Sequence, residues 1–186
     1  MTREISHVKL EPKEEEEEGR DGNRRQSSEQ QQKAARDMCV MVAAHLAMNR
    51  PADALAPAHA AVRLCPMDGE LWSLLGVVKR KLNMPEADVL LDMDEGVRLR
   101  PSHWGLRVWR AEARIDYGRL KGALEDLDAA VLACAQDAHA LTLRGVVKHR
   151  MGRTQEALVD LDAALALSST PSTSVARSIV SGGGGM

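Results

Sequence analysis

The chain has 186 residues, of which 44% are hydrophobic, 28% charged and 2% aromatic, and its formal net charge is -2 at pH 7. This length favours one domain plus a tail, and the near-neutral charge argues against a nucleic-acid partner. No apolar run approaches the roughly 18 residues of a membrane span, and the polar N-terminus does not resemble a signal peptide. Three widely spaced cysteines favour neither a disulfide scaffold nor a C-x-x-C site, so we expect a reducing compartment, the cytoplasm or alternatively the nucleus.

The first 34 residues differ in composition from the rest of the chain. They contain the glutamate run 14–18 and the polar run 26–32, with few bulky apolar side chains. Such a segment cannot bury enough apolar surface to offset its ordering entropy. Residues 1–34 are therefore predicted to form a disordered acidic, Gln-rich tail.

Two short patterns in this tail resemble modification sites. Lys9, followed by Glu11 and the glutamate run, resembles a sumoylation site, and Ser27 after two arginines resembles a basophilic kinase site. A phosphate on Ser27 would add about -1.5 to -2 charge beside those arginines.

From residue 35 onward the sequence repeats. The segment ALEDLDAA that begins at Ala123 recurs as ALVDLDAA at Ala157, 34 residues later. The helix-breaking residues Asn49, Asn83, Gly118 and Gly152 follow one another at intervals of 34, 35 and 34. These spacings predict four units, which span residues 35–68, 69–103, 104–137 and 138–171. Residues 172–186 remain, and could form a short capping helix and a flexible Gly-rich end.

Each unit is predicted to hold two helices. Asn and Gly tolerate the left-handed conformation that ends a helix, and Pro51 and Pro85 then stand in the first turn of a second helix, where a missing N–H is harmless. Apolar residues recur at helical spacing within each unit. Neither helix can bury its apolar stripe alone, whereas stacking on the neighbouring unit does so, which is the physical basis of a solenoid.

This pattern resembles the tetratricopeptide repeat. The family's Trp-x-x-Leu-Gly element appears as Trp72 to Gly76, and its later small-x3-bulky element appears as Ala123 with Leu127. The resemblance covers about residues 35–171. It implies an all-α fold, a right-handed α-solenoid of four tetratricopeptide-like helix–turn–helix repeats, and a role in protein–protein interaction.

The sequence departs from the family in its aromatic residues. Where the family carries an aromatic late in the first helix, this chain has His45, Lys79, Arg114 and Lys148. Missing aromatics remove large buried areas, so we expect a marginally stable array. The short segment after the fourth unit is the only candidate cap, and an uncapped end favours self-association.

The resemblance also implies that the first helix of each unit lines a concave groove. The candidate groove residues are Cys39, Val40, Ala43, Ser73, Leu74, Val77, Val108, Trp109, Glu112, Thr142, Leu143 and Val146. Trp109 is the best candidate anchor for a peptide, since Trp dominates interface hot spots. The alternative is that Trp109 packs between units.

A set of basic residues lies further along the same helices. Its members are Lys79, Arg80, Lys81, Arg114, Lys148 and Arg150. They either interact with helix C-termini or form a basic stripe for an acidic partner, with the glutamate run 14–18 as a competing internal ligand. The aspartate pairs at 126 and 128 and at 160 and 162 diverge on their helices, which favours a solvated face.

The sequence contains no motif for catalysis. A phosphate loop, G-x-S-x-G and H-E-x-x-H are all missing, and no metal or cofactor is expected. We therefore predict a non-catalytic scaffold or adaptor that binds a peptide segment of a partner protein in the groove. The alternatives are a self-associating module that stacks through its terminal repeat and a chaperone-linked adaptor. The positions that match the family's carboxylate clamp include Leu74, Gly105 and Trp109 but no cation, which disfavours that clamp.

Overall fold

The computed structural model describes residues 14–168 and 170–182, and the regular structure of these residues is entirely helical. The predicted all-α fold is thus confirmed. The helices are α1 (Glu14–Ala47), α2 (Pro51–Leu64), α3 (Gly69–Lys81), α4 (Glu86–Leu99), α5 (Trp104–Asp116), α6 (Leu120–Ala133), α7 (Ala138–Arg150), α8 (Thr154–Leu167) and α9 (Pro171–Gly182).

The helices stack as pairs along a solenoid. Within each pair the two helices pack on one another, as α1 does with α2 and α7 with α8, and each second helix also packs on the first helix of the next pair. The helices α3, α5, α7 and α9 further contact one another in succession. They therefore lie side by side and form one surface, the first-helix face, which is the counterpart of the predicted groove.

The turn within each pair has one recurring geometry. Asn49, Asn83, Gly118 and Gly152 all have positive φ angles, of 54°, 53°, 72° and 81°. After each of them the chain folds back on its helix: the N–H of Met84 donates to the carbonyl of Lys79 at 3.1 Å, and the N–H of Arg153 to that of Lys148 at 2.9 Å. This is the Schellman bond that satisfies a free carbonyl at a helix end.

Small residues set the distance between paired helices. A Cβ on Gly76 would lie 2.6 Å from Cγ of Met93, and one on Gly145 would lie 2.8 Å from Cγ of Leu161. The third unit has Ala111 at the equivalent place, fully buried. Close approach lets Leu, Val, Ala and Met fill the core, so that the chain packs without a single Phe.

The N-terminal segment differs from its predicted disorder. Helix α1 begins at Glu14, so residues 14–34 are helical, while residues 1–13, including Lys9, lie outside the described part. Ala35 and Val42 are buried and anchor the C-terminal part of α1. Nucleation is the costly step of helix formation, so an anchored helix extends without burying further apolar surface. Composition reports only how much apolar surface a segment can bury, and not whether a neighbouring anchored helix extends into it.

The C-terminal segment forms helix α9, which packs on α8 and α7. Thr173 and Val180 are buried there, and the hydroxyl oxygens of Thr173 and Thr142 lie 2.9 Å apart. The fourth unit is thus covered by a helix, and the expectation that an uncapped end drives self-association loses its premise. The terminal glycines from 183 onward lie outside the described residues.

Candidate functional site

One buried ion pair recurs inside the second, third and fourth units. It joins a cation at the end of the first helix to an aspartate on the second helix of the same unit. The pairs are Lys79 with Asp92 at 2.7 Å, Arg114 with Asp126 at 2.8 Å and Lys148 with Asp160 at 2.7 Å. The three aspartates are buried.

This pair corrects two sequence predictions. Lys79, Arg114 and Lys148 are neutralised within the fold, so these cations do not form a stripe that is open to an acidic partner or to the glutamate run 14–18. Asp126 and Asp160 do not belong to a solvated face. A carboxylate can be buried because a cation on the facing helix reaches it, and that partner lies more than ten residues away in the sequence.

A second set of ion pairs connects successive units. An arginine on a first helix contacts an aspartate on the preceding second helix. The pairs are Arg110 with Asp94 at 2.9 Å, Arg144 with Asp128 at 3.2 Å and Arg177 with Asp162 at 2.5 Å. Arg110 and Arg144 also donate to the buried Asp126 and Asp160. We call this set the arginine ladder. It extends to α9, which therefore occupies the place of a fifth first helix.

The centre of the first-helix face is spanned by one carboxylate. Glu112 of α5 accepts a hydrogen bond from Arg80 of α3 at 2.6 Å and contacts His139 of α7 at 2.7 Å. Asp116 also accepts from Arg80, at 3.2 Å. Glu112, a predicted groove residue, thus joins three units, and Arg80 is paired rather than available.

These contacts shift the pKa values of both partners. Burial raises the pKa of Glu112, but the hydrogen bond with His139 and the charge of Arg80 outweigh it and lower the pKa overall. The hydrogen bond to Glu112 raises the pKa of His139 against the opposing effect of burial. Both shifts favour the charged pair.

The other predicted groove residues fall into three groups. Val108 is buried and belongs to the core, which corrects its assignment to an accessible groove; Ser73 and Thr142 are also buried. Several are half-buried, namely Cys39, Leu74, Val77, Trp109, Leu143 and Val146. Val40 and Ala43 are exposed on α1. Four of them, Cys39, Leu74, Val77 and Leu143, pack against apolar clusters of the core, so only part of each side chain is open to a partner.

Two predicted basic residues remain available. Lys81 and Arg150 are exposed and have no ion pair among the described residues. Arg150 borders an open apolar trough between α7 and α9, with Val146, Val175 and Ile179 along its walls. The sequence prediction missed Val175 and Ile179, because α9 was expected only as a cap. Their spacing of four residues was the signal that could have revealed a shared face.

The cysteines give little support to redox chemistry. Cys39, Cys65 and Cys134 are all free and partly buried. Burial raises the pKa of Cys39, and the nearby Asp68 and Glu70 raise it further. A raised pKa lowers the thiolate fraction and hence reactivity. Ser27, the predicted phosphorylation site, is exposed on α1.

The described residues contain no group of three or more His, Cys, Asp or Glu placed to hold a metal ion. Over the same residues, no helix combines the length and hydrophobicity needed to cross a membrane.

Comparison with solved structures shows the fold. TTC0263, a thermophilic TPR protein of Thermus thermophilus, is 23% identical, with a TM-score of 0.73 over 81% of this chain and 83% of its own. PilF of Pseudomonas aeruginosa is 14% identical, with a TM-score of 0.74 over 81% of this chain and 68% of its own. YrrB, described as a TPR protein with an unusual peptide-binding site, is 20% identical, with a TM-score of 0.62 over 76% and 72%.

The chain therefore has the α-solenoid fold of tetratricopeptide-repeat proteins, as its sequence pattern predicts. No protein-family model matches the sequence, and no curated protein sequence matches it.

Proposed function

We propose that this protein is a non-catalytic scaffold or adaptor that binds a segment of a partner protein on its first-helix face. The observation that supports this most directly is the side-by-side arrangement of α3, α5, α7 and α9. It presents half-buried apolar side chains such as Trp109, and a trough that no described residue fills. Extended surfaces of this kind suit peptide segments.

The central ion pairs connect the helices of this face. Glu112 connects α3, α5 and α7 through Arg80 and His139. A surface that is already ordered loses little conformational entropy when a partner binds. The partly buried free cysteines are compatible with a reducing compartment, in which we place the protein, the cytoplasm or the nucleus.

A pull-down with the full chain tests this proposal. The bait is attached through one terminus and compared with Trp109→Ala, which removes an aromatic edge from the first-helix face. The matched control is Leu132→Ala, since Leu132 is 90% exposed on the second helix α6. Circular dichroism first confirms that both variants are folded. Partners that are retained by the wild type and by Leu132→Ala, but lost by Trp109→Ala, are expected; identical recovery by all three baits contradicts the proposal.

Self-association is the second candidate, and one observation favours it. The exposed side of α1 near its C-terminal end is apolar, with Val40, Met41 and Met48 all open to solvent. Light scattering on the full chain, with Val40→Glu as the variant, tests this candidate. A monomer at all concentrations removes it, whereas a dimer that Val40→Glu dissociates would support it.

A further inference from the structure

The trough between α7 and α9 is an apolar surface that residues 14–168 and 170–182 leave uncovered. It has a volume of about 530 Å³ and is walled by Val146 on α7 and by Val175 and Ile179 on α9. Val175 and Ile179 are 59% and 61% exposed, one helical turn apart. Side chains at this spacing share a face, so α9 turns a continuous apolar edge towards the trough.

The rim of the trough is cationic. Arg150 is exposed and has no ion pair among the described residues, and Nδ1 of the neighbouring His149 is buried without a hydrogen-bond partner. The carboxylate of Glu156 accepts a hydrogen bond from Arg153 at 2.8 Å and forms no ion pair with Arg150. Among the described residues, no carboxylate forms an ion pair with Arg150 at the end of α7.

At the equivalent place between α3 and α5, two carboxylates are present. There Arg80, which corresponds to His149, donates to Glu112 and Asp116. The arginine ladder aligns α9 with the other first helices, because Arg177 contacts Asp162 as Arg110 contacts Asp94. Two residues beyond the ladder arginine lie Glu112 on α5 and Ile179 on α9. Ile179 thus stands where the neutralising glutamate stands in the earlier junction.

We propose that this trough is the docking site for an amphipathic helical segment of a partner protein, one that brings apolar side chains and a carboxylate of its own. The apolar side chains cover Val146, Val175 and Ile179. The carboxylate pairs with Arg150, the exposed cation beside His149. This inference rests on the proposed scaffold function and names both the place and the chemistry of the partner segment.

The dimensions of the trough fit a helix. Its walls are two neighbouring helices, and α9 has 12 residues, which corresponds to about 18 Å, or roughly three helical turns. An amphipathic helix that lies in such a groove places anchors at positions i, i+3, i+4 and i+7. The partner then lengthens the first-helix face by one further helix.

A charge-exchange experiment on the full chain tests this docking mode. The probe is a fluorescein-labelled synthetic helix with Leu at i, i+3, i+4 and i+7 and Glu at the flanking positions. A second probe has Lys in place of every Glu. The wild type is expected to bind the Glu probe and not the Lys probe in fluorescence anisotropy. Arg150→Glu is expected to weaken the Glu probe at least about tenfold, which is about 1.4 kcal/mol, and to favour the Lys probe.

Matched variants test whether binding depends on the trough itself rather than on net charge or on exposed apolar surface elsewhere. Ile179→Asp is expected to abolish binding, with helicity unchanged because the side chain is exposed. Lys81→Glu changes the equivalent charge on α3, and Leu132→Asp changes an exposed apolar residue on α6; both are expected to bind as the wild type does. Failure of the wild type to bind the Glu probe, equal affinity for both probes, or equal loss in Lys81→Glu would overturn the docking site.

The same variants distinguish this inference from the scaffold function. If Ile179→Asp retains every pull-down partner that Trp109→Ala loses, the partner binds the first-helix face elsewhere and the trough is not its site. If neither variant loses a partner, the scaffold proposal itself fails. Binding of an apolar carboxylic acid such as dodecanoate in place of the peptide would also overturn the proposal.

Discussion

The second and fourth units hold the same buried ion pair in different surroundings. Lys79 contacts Asp92 and Lys148 contacts Asp160, both at 2.7 Å. Burial raises the pKa of Asp92, and Lys79 alone does not offset it. Burial also raises the pKa of Asp160, but the hydrogen bonds from Arg144 and Lys148 outweigh it, so that this pKa is lowered.

One residue accounts for this contrast. Arg144 lies four residues before Lys148, and the residue four before Lys79 is Leu75. Leu75 packs in the apolar cluster shared with the first unit, so the first junction is held by apolar contacts. The later junctions combine apolar contacts with the arginine ladder. A repeated aspartate therefore takes its electrostatic role from the residue that stands one turn before the paired lysine on the first helix of its own unit.

The largest expected effect comes from removing the two carboxylates in turn. Asp160→Asn leaves both Arg144 and Lys148 without their buried partner and should lower the free energy of unfolding by about 3–5 kcal/mol. Asp92→Asn should cost less, about 2–3 kcal/mol, because it leaves one cation, Lys79, without its buried partner rather than two. Urea unfolding of the full chain measures both variants. Equal losses would contradict the contrast.

The helix contacts of the two units should differ as well. A methyl group on Gly145 meets Cγ of Leu161 at 2.8 Å and the carbonyl oxygen of Ala157 at 3.0 Å, whereas one on Gly76 meets chiefly the side chain of Met93. Met is flexible and can move aside. We expect Gly145→Ala to cost about 2–3 kcal/mol and Gly76→Ala about 1 kcal/mol. Thermal unfolding compares them, and a larger loss for Gly76→Ala would show that Met93 cannot adjust.

Arg144→Leu should make the surroundings of Asp160 in the fourth unit resemble those of Asp92 in the second. It removes one of the two cations at Asp160, so the pKa of Asp160 should rise, and stability should fall by about 1–2 kcal/mol. Carboxyl carbon chemical shifts in an NMR titration report the pKa directly. Arg98→Leu, which breaks an exposed pair with Glu95 in the second unit, is the control and should leave Asp160 unchanged. An unchanged pKa in Arg144→Leu would remove the explanation given for Asp92.

The smallest effect concerns the contact between the third and fourth units. The pKa of His139 is raised by Glu112, so its stabilising contribution is complete below the unfolded pKa of about 6.5 and is lost as the pH rises through the folded value. His139 is 60% exposed, which limits the change to below about 1 kcal/mol. The wild type should lose more stability than Glu112→Gln between about pH 6 and about pH 8. Parallel pH profiles would refute the coupling.

Local chemistry made much of the fold predictable. Asn or Gly at each turn was predicted from its tolerance of positive φ, and all four positions have it. The repeated segments that begin at Ala123 and Ala157 place alanines in the core of both units, among them Ala130 and Ala164. Turn chemistry and the 3.6-residue period act over a few residues, and they identify helices without reference to the rest of the chain.

The electrostatic roles depended on long-range contacts. Nothing in the segment around Asp126 shows that Arg110 and Arg114 reach it from another helix, and a lone aspartate on a helix is more often solvated. For the same reason the sequence leaves Lys79 and Lys148 either as cations at helix C-termini or as members of an open basic stripe, and neither interpretation includes the buried aspartates. Helicity of residues 14–34 also escaped prediction, because it propagates from the packed part of α1.

The sequence by itself determined the number of repeats, the helix pairs and the turns, since these follow from residue conformation and apolar period. Only the tertiary structure decided which charges neutralise one another and which stay available. Arg80 and Arg150 look alike as basic residues near the ends of first helices, yet Glu112 neutralises one, and α9 places Ile179 beside the other. A side chain's charge is a local property, but its partner is chosen by packing across the solenoid.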